Sequence, residues 1–286
     1  MDKITIEAPA KINLTLDIKG KRSDGYHELE TVMHHISLVD YVTLEKSDHI
    51  TVSSNSKLIP NDESNLAYKA AKLIFEKNGK KAGVNIYIEK NIPVGAGLAG
   101  GSTNAAAVLL GLNKLYDLHL SPQVLEELAL ELGSDVPFCL ADKTALAKGR
   151  GEKLTFLPPI EKLNFLLVKP DFQVSTAQVY KEFSFDKVQQ VPDTNAFLKA
   201  WHECDIISLA NNMQNVLESV CLPKYPEIGK IKLRMLEYGA LNALMSGSGP
   251  TVFGLFDNQD KLNQAYAGFL TEYKEVFKIS SYIRSE

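Results

Sequence analysis

The 286-residue sequence predicts a mixed α+β fold in two domains. Three observations carry that expectation. The chain is close to twice the roughly 150 residues that one domain usually takes. Strand-type alternation and helix-type periodicity both recur in each half. A proline pair, Pro158-Pro159, marks a hinge between the halves. Composition fits a globular chain: 45% hydrophobic and 23% charged residues, with 18 Gly and 12 Pro, exclude collagen-like, coiled-coil and wholly disordered classes.

Each element follows from local pattern. Pro9 to Ile18 alternates, with Ile12, Leu14, Leu16 and Ile18 on one face and Lys11, Asn13, Thr15 and Asp17 on the other, as a strand with one buried side does. Gly20 ends it, and Asp24-Gly25 makes a turn before a strand from Glu28 to Leu38. Ser64 or Asn65 opens a helix in which Leu66, Ala70 and Ile74 recur, and Asn78-Gly79 stops it. Val84 to Glu89 is a strand, Gly95 to Gly101 a glycine-rich turn, and Ser102 to Tyr116 a helix apolar almost all round. Ser121-Pro122 caps the next helix, whose stripe is Val124, Leu125, Leu128, Ala129 and Leu132, ending at Gly133. Thr144 to Leu157 is a hairpin turning at Gly149-Arg150-Gly151. The second half holds a strand from Phe165 to Val168, helices over Ser175–Phe183, Ala196–Leu217 and Pro226–Tyr238, and strands near Ala243 and over Val252–Phe256.

Several function classes lose support at once. The longest apolar stretch, Ala105 to Leu112, is far short of the about 20 residues that span a bilayer. No basic n-region or apolar h-region opens the sequence, and a net charge of −4 argues against nucleic-acid or anionic-membrane partners. Cys139, Cys204 and Cys221 are widely spaced without a CxxC, which fits a reducing, cytoplasmic setting, with Cys139 a core residue. His34 and His35 are adjacent on a strand and point to opposite faces, so they do not form one metal site, and no HExxH or EF-hand pattern occurs.

The chemistry concentrates in Ile92 to Leu112, IPVGAGLAGGSTNAAAVLLGL. Glycines let main-chain amides converge on an anion, and a helix N-terminus adds about half a positive charge. Ser102 and Thr103 add hydroxyls for a phosphate or a hydrated cation, so a polyphosphate is the expected guest; the alternative is a capping loop without a ligand. Gly95 to Gly100 also satisfies GxGxxG, and Asp117 stands twenty residues after Gly97. A helix follows a helix there, leaving no room for the second strand of a dinucleotide fold. A Walker A loop fails as well, because Gly101 occupies the place of its lysine.

A second glycine cluster, Ser246 to Gly249, interrupts an apolar stretch and reads either as a tight hairpin or as close backbone approach to a ligand. Lys11 and Asn13 share a strand face and reach one site, unless that face is simply solvated. Asp135 is either the N-cap of a short turn or an available carboxylate.

Together PAKINLTL (Pro9 to Leu16), PVGAGLAGGSTNAA (Pro93 to Ala106) and SGSGPTVFGLF (Ser246 to Phe256) resemble, in order, the three motifs of the GHMP kinase superfamily. With RSDGYHEL (Arg22 to Leu29), GSDVPFCL (Gly133 to Leu140) and GRGE (Gly149 to Glu152), the chain is similar to the branch that phosphorylates 4-diphosphocytidyl-2-C-methyl-D-erythritol in non-mevalonate isoprenoid precursor biosynthesis. The resemblance implies a two-domain α+β fold, an N-terminal nucleotide-binding domain over 1–158 and a C-terminal domain over 159–286, with the active site in the cleft between domains. It implies ATP as phosphoryl donor, with Mg²⁺, and the 2-hydroxyl of the methylerythritol moiety as acceptor; no nucleic acid, membrane or obligatory protein partner is implied.

By the same resemblance Asp135 matches the catalytic base and Lys11 its partner. Pro93, Gly95, Gly97, Leu98, Ala99, Gly100, Gly101, Ser102 and Thr103 match the phosphate loop, and Asn65 and Leu66 the adenine pocket. Tyr26 and Tyr180 match the aromatics that sandwich cytosine, His27 the residue that reads its edge, and Asn13 and Thr176 polar contacts to the substrate. From the residues alone, Tyr26 is equally a hairpin aromatic and Tyr180 a helix-face core residue. Two departures stand out. Ala99 replaces a glycine of the usual loop, so a negative φ is expected there. No carboxylate ligand for Mg²⁺ emerges, which leaves the ion to the nucleotide phosphates and to Ser102 or Thr103. Another small-alcohol kinase of the superfamily, of mevalonate or homoserine type, is the alternative, and a silent nucleotide-binding regulator a third.

Overall fold

The computed structural model describes residues 1–160 and 162–282. In chain order come β1 (Lys3–Lys21), β2 (His27–Ser47), β3 (Ile50–Ser54), α1 (Leu66–Lys77), β4 (Gly83–Glu89), α2 (Gly100–Leu115), α3 (Pro122–Leu132) and α4 (Val136–Leu140). The hairpin β5 (Ala145–Gly149) and β6 (Lys153–Phe156) follows, then β7 (Asn164–Lys169), α5 (Thr176–Glu182), α6 (Thr194–Glu203) and α7 (Ile206–Asn211). The chain continues through α8 (Glu218–Lys224), α9 (Pro226–Glu237), β8 (Asn242–Met245), β9 (Val252–Phe256), α10 (Gln259–Leu270) and β10 (Glu275–Ser280). The fold is α+β, in two compact units interleaved along the chain. One comprises 1–10, 38–94 and 99–142; the other comprises 11–37, 95–98 and 143–286.

In the first unit the second half of β2 pairs antiparallel with β4, Tyr41 opposite Glu89 and Ser47 opposite Gly83, and β3 lies parallel to β4. Asn65 caps α1, its Oδ1 accepting the Ala67 amide at 2.9 Å while its Nδ2 donates to the Pro60 carbonyl at 2.7 Å. Asn78 and Gly79, the latter at φ 61°, end that helix as expected. Helix α2 buries Thr103 to Leu109 without interruption, so it has no solvent face there. Its Gly111 permits this packing: a Cβ there would stand 2.4 Å from Leu44 Cδ1. On α3 the core stripe narrows to Leu125, Leu128 and Ala129, because Val124 is 37% exposed.

The second unit is built on an antiparallel sheet in the order β10-β7-β9-β8. The strands β7 and β9 run through its centre with Phe165 opposite Leu255, and both are buried almost throughout. The first half of β2 pairs with the β5–β6 hairpin, Leu29 opposite Gly149. Trp201 on α6 is 1% exposed and donates its indole N–H to the Pro158 carbonyl at 2.9 Å. His34 lies buried with its ring nitrogens against Thr144 Oγ1 at 2.7 Å and Ser281 Oγ at 3.0 Å, and burial, with His35 beside it, pushes its pKa down to about 3.

Two of the departures from the pattern-based expectation concern β1 and the segment Ala196–Leu217. Strand β1 is buried on both faces: Lys11, Asn13, Thr15 and Asp17 are each at most 4% exposed, because the face that alternation assigns to water is covered by protein. The helix expected over Ala196–Leu217 is broken. Cys204 takes a left-handed turn at φ 56°, and Asp205 restarts the chain by accepting the Ile207 and Ser208 amides, both at 3.1 Å. Between α7 and α8 the chain zips onto β1, Leu16 N donating to Gln214 O at 2.8 Å and Val216 N to Leu16 O at 3.0 Å.

Candidate active site

Strand β1 carries Lys11 into the second unit as a buried ammonium. Lys11 Nζ donates to Asn13 Oδ1 at 2.7 Å and to the Gly97 carbonyl at 3.4 Å, and the Lys11 amide donates to Leu98 O at 3.1 Å. Asn13 passes the network on, its Nδ2 donating to Thr31 Oγ1 at 2.8 Å. The second glycine cluster closes over the same atoms. Ser246 Oγ donates to Gly97 O at 3.0 Å, and a Cβ on Gly247 would lie 3.3 Å from Asn13 Oδ1 and 3.5 Å from Lys11 Nζ. Gly97 sits at φ 76°, and a Cβ there would be 2.3 Å from Ser246 O. Close backbone approach therefore explains this glycine pair, with three motifs distant in sequence meeting around one ammonium.

Asn215 fixes the cluster from behind. It is 4% exposed and donates to the carbonyls of Met245 and Gly247, both at 2.8 Å, while its Oδ1 accepts the Leu217 amide at 3.0 Å. Glu218 adds an acceptor for the Met245 amide at 2.8 Å and pairs with Lys232. Sequence reasoning passed over both residues; a buried Asn followed by an acid in NVLE was the available signal.

The loop that precedes α2 alternates its backbone sign: Gly95, Gly97 and Ala99 lie at φ 66°, 76° and 56°. Such alternation turns successive amides toward one side, as in anion-binding nests. Ala99 corrects the expectation of a negative φ. It stands at φ 56°, ψ 27° as the N-cap of α2, and its carbonyl accepts the first helical bond from Thr103 N at 2.9 Å. The turn into the helix demands the left-handed conformation at this position, and the surroundings impose it on an alanine at a cost of about 1–2 kcal/mol. The helix also starts earlier than expected, at Gly100 rather than Ser102. The Gly100, Gly101 and Ser102 amides, like those opening any α-helix, have no helical partner, and the Ala99 methyl cannot cap them. Among the described residues Thr103 Oγ1 is buried without a hydrogen-bond partner, while Ser102 is half-buried.

Behind that helix start, Asp40 is fully buried. Its Oδ1 accepts the amides of Asn91 and Ile92 at 2.7 and 2.8 Å, and its Oδ2 accepts Asn104 Nδ2 at 2.9 Å and the Lys90 ammonium. Burial holds the Lys90 pKa below its ordinary value against the pull of Asp40. A Cβ on Gly100 would come within 2.7 Å of Lys90 Nζ and 3.2 Å of Ile92 Cγ2, so the pair packs closely against the start of α2. Neither Asp40 nor Lys90 was singled out from sequence.

The remaining expected residues fall as follows. Asp135 is half-buried at the N-cap of α4, but its side chain makes no capping bond. Pro93 is buried, Gly95 and Gly101 exposed. Asn65 commits its carboxamide to capping α1, leaving Leu66 half-buried beside it. His27 packs on Tyr180 with ring centroids 5.5 Å apart at 32°, and Thr176 Oγ1 lies 2.7 Å from Ser248 Oγ, tying α5 to the second glycine cluster. Tyr26 is exposed, with Arg150 over its ring.

Comparison with known proteins gives the family. Residues 65–143 match the model of the GHMP kinases N terminal domain, and residues 197–275 that of the GHMP kinases C terminal. The chain is 57% identical over 281 residues to a 4-diphosphocytidyl-2-C-methyl-D-erythritol kinase from Syntrophomonas wolfei, covering 98% of this chain and 99% of that one. It is 46% identical over 286 residues to the protein of the same name from Alkaliphilus metalliredigens, covering 99% and 98%. A crystal structure of a 4-(cytidine 5'-diphospho)-2C-methyl-D-erythritol kinase superposes with a TM-score of 0.83 at 34% identity, covering 98% of this chain and all of that one. No described helix is long and apolar enough to cross a membrane. The chain belongs to the GHMP kinases, in the family of the 4-diphosphocytidyl-2-C-methyl-D-erythritol kinases.

Proposed function

We propose that the protein transfers the γ-phosphoryl group of ATP to the 2-hydroxyl of 4-diphosphocytidyl-2-C-methyl-D-erythritol. The observation that carries this is the buried cluster in which Lys11 Nζ, Asn13 and Gly97 meet Ser246 and Gly247. The names borne by its relatives give the acceptor.

A tertiary alcohol is a weak nucleophile, so its proton must leave as the bond to phosphorus forms. Asp135, whose side chain is not spent on capping α4, accepts that proton. Lys11 supplies positive charge to the transferring phosphoryl group, and Asn13 Oδ1 and the Gly97 carbonyl orient the ammonium. The amides at the start of α2 take the charge of the phosphate tail. Asn65 and Leu66 at the start of α1 stand with the adenine side, and Pro93 opens the phosphate loop. The unpartnered Thr103 hydroxyl and Ser102 fit a phosphate oxygen or a water of Mg²⁺. When bound, Mg²⁺ neutralises charge on the β- and γ-phosphates. Tyr26 and Tyr180 stack the cytosine, His27 reads its edge, and Thr176 and Asn13 hold polar groups of the acceptor.

A substrate panel tests this. With ATP, the cytidylyl substrate should be consumed at least a hundred times faster than mevalonate or homoserine; preference for either of those would reject the assignment.

A further inference from the structure

The proposed chemistry does not use the GRGE segment, yet it forms a locked tip on the β5–β6 hairpin. Gly149 and Gly151 lie at φ 75° and 114°, backbone that residues with a Cβ rarely adopt. Glu152 folds back beneath the tip and accepts the Arg150 amide at 2.5 Å. A Cβ on Gly149 would collide with that carboxylate at 2.6 Å. The turn is thereby fixed, and it holds Arg150 out from the hairpin as a half-buried side chain.

The guanidinium carbon of Arg150 sits 4.9 Å from the centroid of the Tyr26 ring, and Tyr26 is 54% exposed. Among the described residues Arg150 makes no ion pair within 4 Å and donates no side-chain hydrogen bond, although its charge reaches the Asp24 carboxylate. Nearby Arg22 is different: it is spent on Glu28 at 2.6 Å and Asp24 at 3.1 Å. Next in sequence to Tyr26, His27 packs on Tyr180 and, edge-on at 6.2 Å, on Phe183. Burial, with Lys21 nearby, holds the His27 pKa below its ordinary value, so the imidazole is neutral near pH 7 and offers one donor and one acceptor. The surface thus combines flat rings, a neutral hydrogen-bonding edge and one planar cation with uncommitted donors. A guanidinium stacked on an aromatic ring keeps its N–H edge for a phosphate.

We propose that Arg150 is a specificity-determining residue for the acceptor: stacked on Tyr26, it binds a phosphate of a pyrimidine nucleoside diphosphate whose base is taken by Tyr26, His27 and Tyr180. This rests on the cytidylyl-acceptor assignment above and adds to it the group that reads the acceptor's charge.

Calorimetric titration of the full chain with CDP and with cytidine, the ATP site being held by excess non-hydrolysable ATP analogue, separates the possibilities. Wild type should bind CDP more tightly than cytidine. Arg150→Gln should weaken CDP about tenfold and reduce its salt dependence while leaving cytidine within about twofold. Arg150→Lys, which keeps the charge without the fork, should fall between. Equal loss for both ligands would mean that Arg150 only props the tyrosine ring, and no loss for either would mean that it does neither; both overturn the proposal. Tyr26→Ala serves as the control that should weaken both ligands. If wild type bound neither ligand, the acceptor assignment itself would fall, and this inference with it.

Discussion

Gly97→Ala is the most informative single perturbation of the cluster around Lys11. The added methyl carbon would lie 2.3 Å from Ser246 O and 3.1 and 3.2 Å from Gly249 O and N, all main-chain atoms that cannot rotate aside. Alanine at φ 76° costs about 1–2 kcal/mol in left-handed strain. Overpacking against a fixed backbone adds about 1–3 kcal/mol, so the expected destabilisation is about 2–5 kcal/mol. Relief requires the segment 246–249 to withdraw, which pulls Gly247 from Asn13 and Lys11 and breaks the Ser246 Oγ bond to the Gly97 carbonyl. Urea unfolding with steady-state kinetics reads both effects: a lower midpoint, and turnover reduced at least tenfold even where the variant is fully folded. A variant with wild-type midpoint and turnover would refute the reasoning, because it would show that the two loops do not constrain each other.

Three further outcomes are expected. Ala99→Gly should stabilise the chain by roughly 0.5–1 kcal/mol, since relief of about 1–2 kcal/mol of strain exceeds the entropy that glycine returns to the unfolded chain; a lower urea midpoint would contradict this. His34, with its pKa lowered to about 3 by burial and by His35, is neutral when folded and charges near pH 6.5 when unfolded. Its contribution is therefore full above pH 6.5 and falls by about 1.4 kcal/mol per unit as pH drops toward 3. Between pH 6.5 and 5 the wild type should lose about 2 kcal/mol more than His34→Asn, and parallel pH profiles would exclude the effect. Asp135→Asn should lower kcat by roughly 100- to 10,000-fold with ATP affinity largely kept; near-normal turnover would remove Asp135 as the base.

Much of this molecule is legible from local pattern. Asn65, Ser121 and Gly133 delimit helices because capping is a local bargain between a side chain and a few amides. The glycine clusters announce close backbone approach because little else tolerates so many of them. What failed was what depends on distant neighbours. The polar face of β1 reads as solvated because alternation carries no information about what covers it, and only the fold shows Lys11 and Asn13 buried. Ala99 escaped because residue preference favours negative φ, while the turn into α2 dictates the opposite. Strand β10 and helix α10 were missed altogether; β10 is specified chiefly by its antiparallel register against β7, a long-range partner. Asp40 shows the same limit, since an acid inside a strand becomes meaningful only when Lys90, Asn91, Ile92 and Asn104 converge on it.

Phosphorus NMR of the reaction with γ-labelled ATP tests the central assignment most directly. The expected result is one new phosphomonoester resonance, carrying the label and coupled to the tertiary carbon C2 of the cytidylyl substrate, with the diphosphate bridge intact. Label appearing on another oxygen, or cleavage of the bridge, would contradict it.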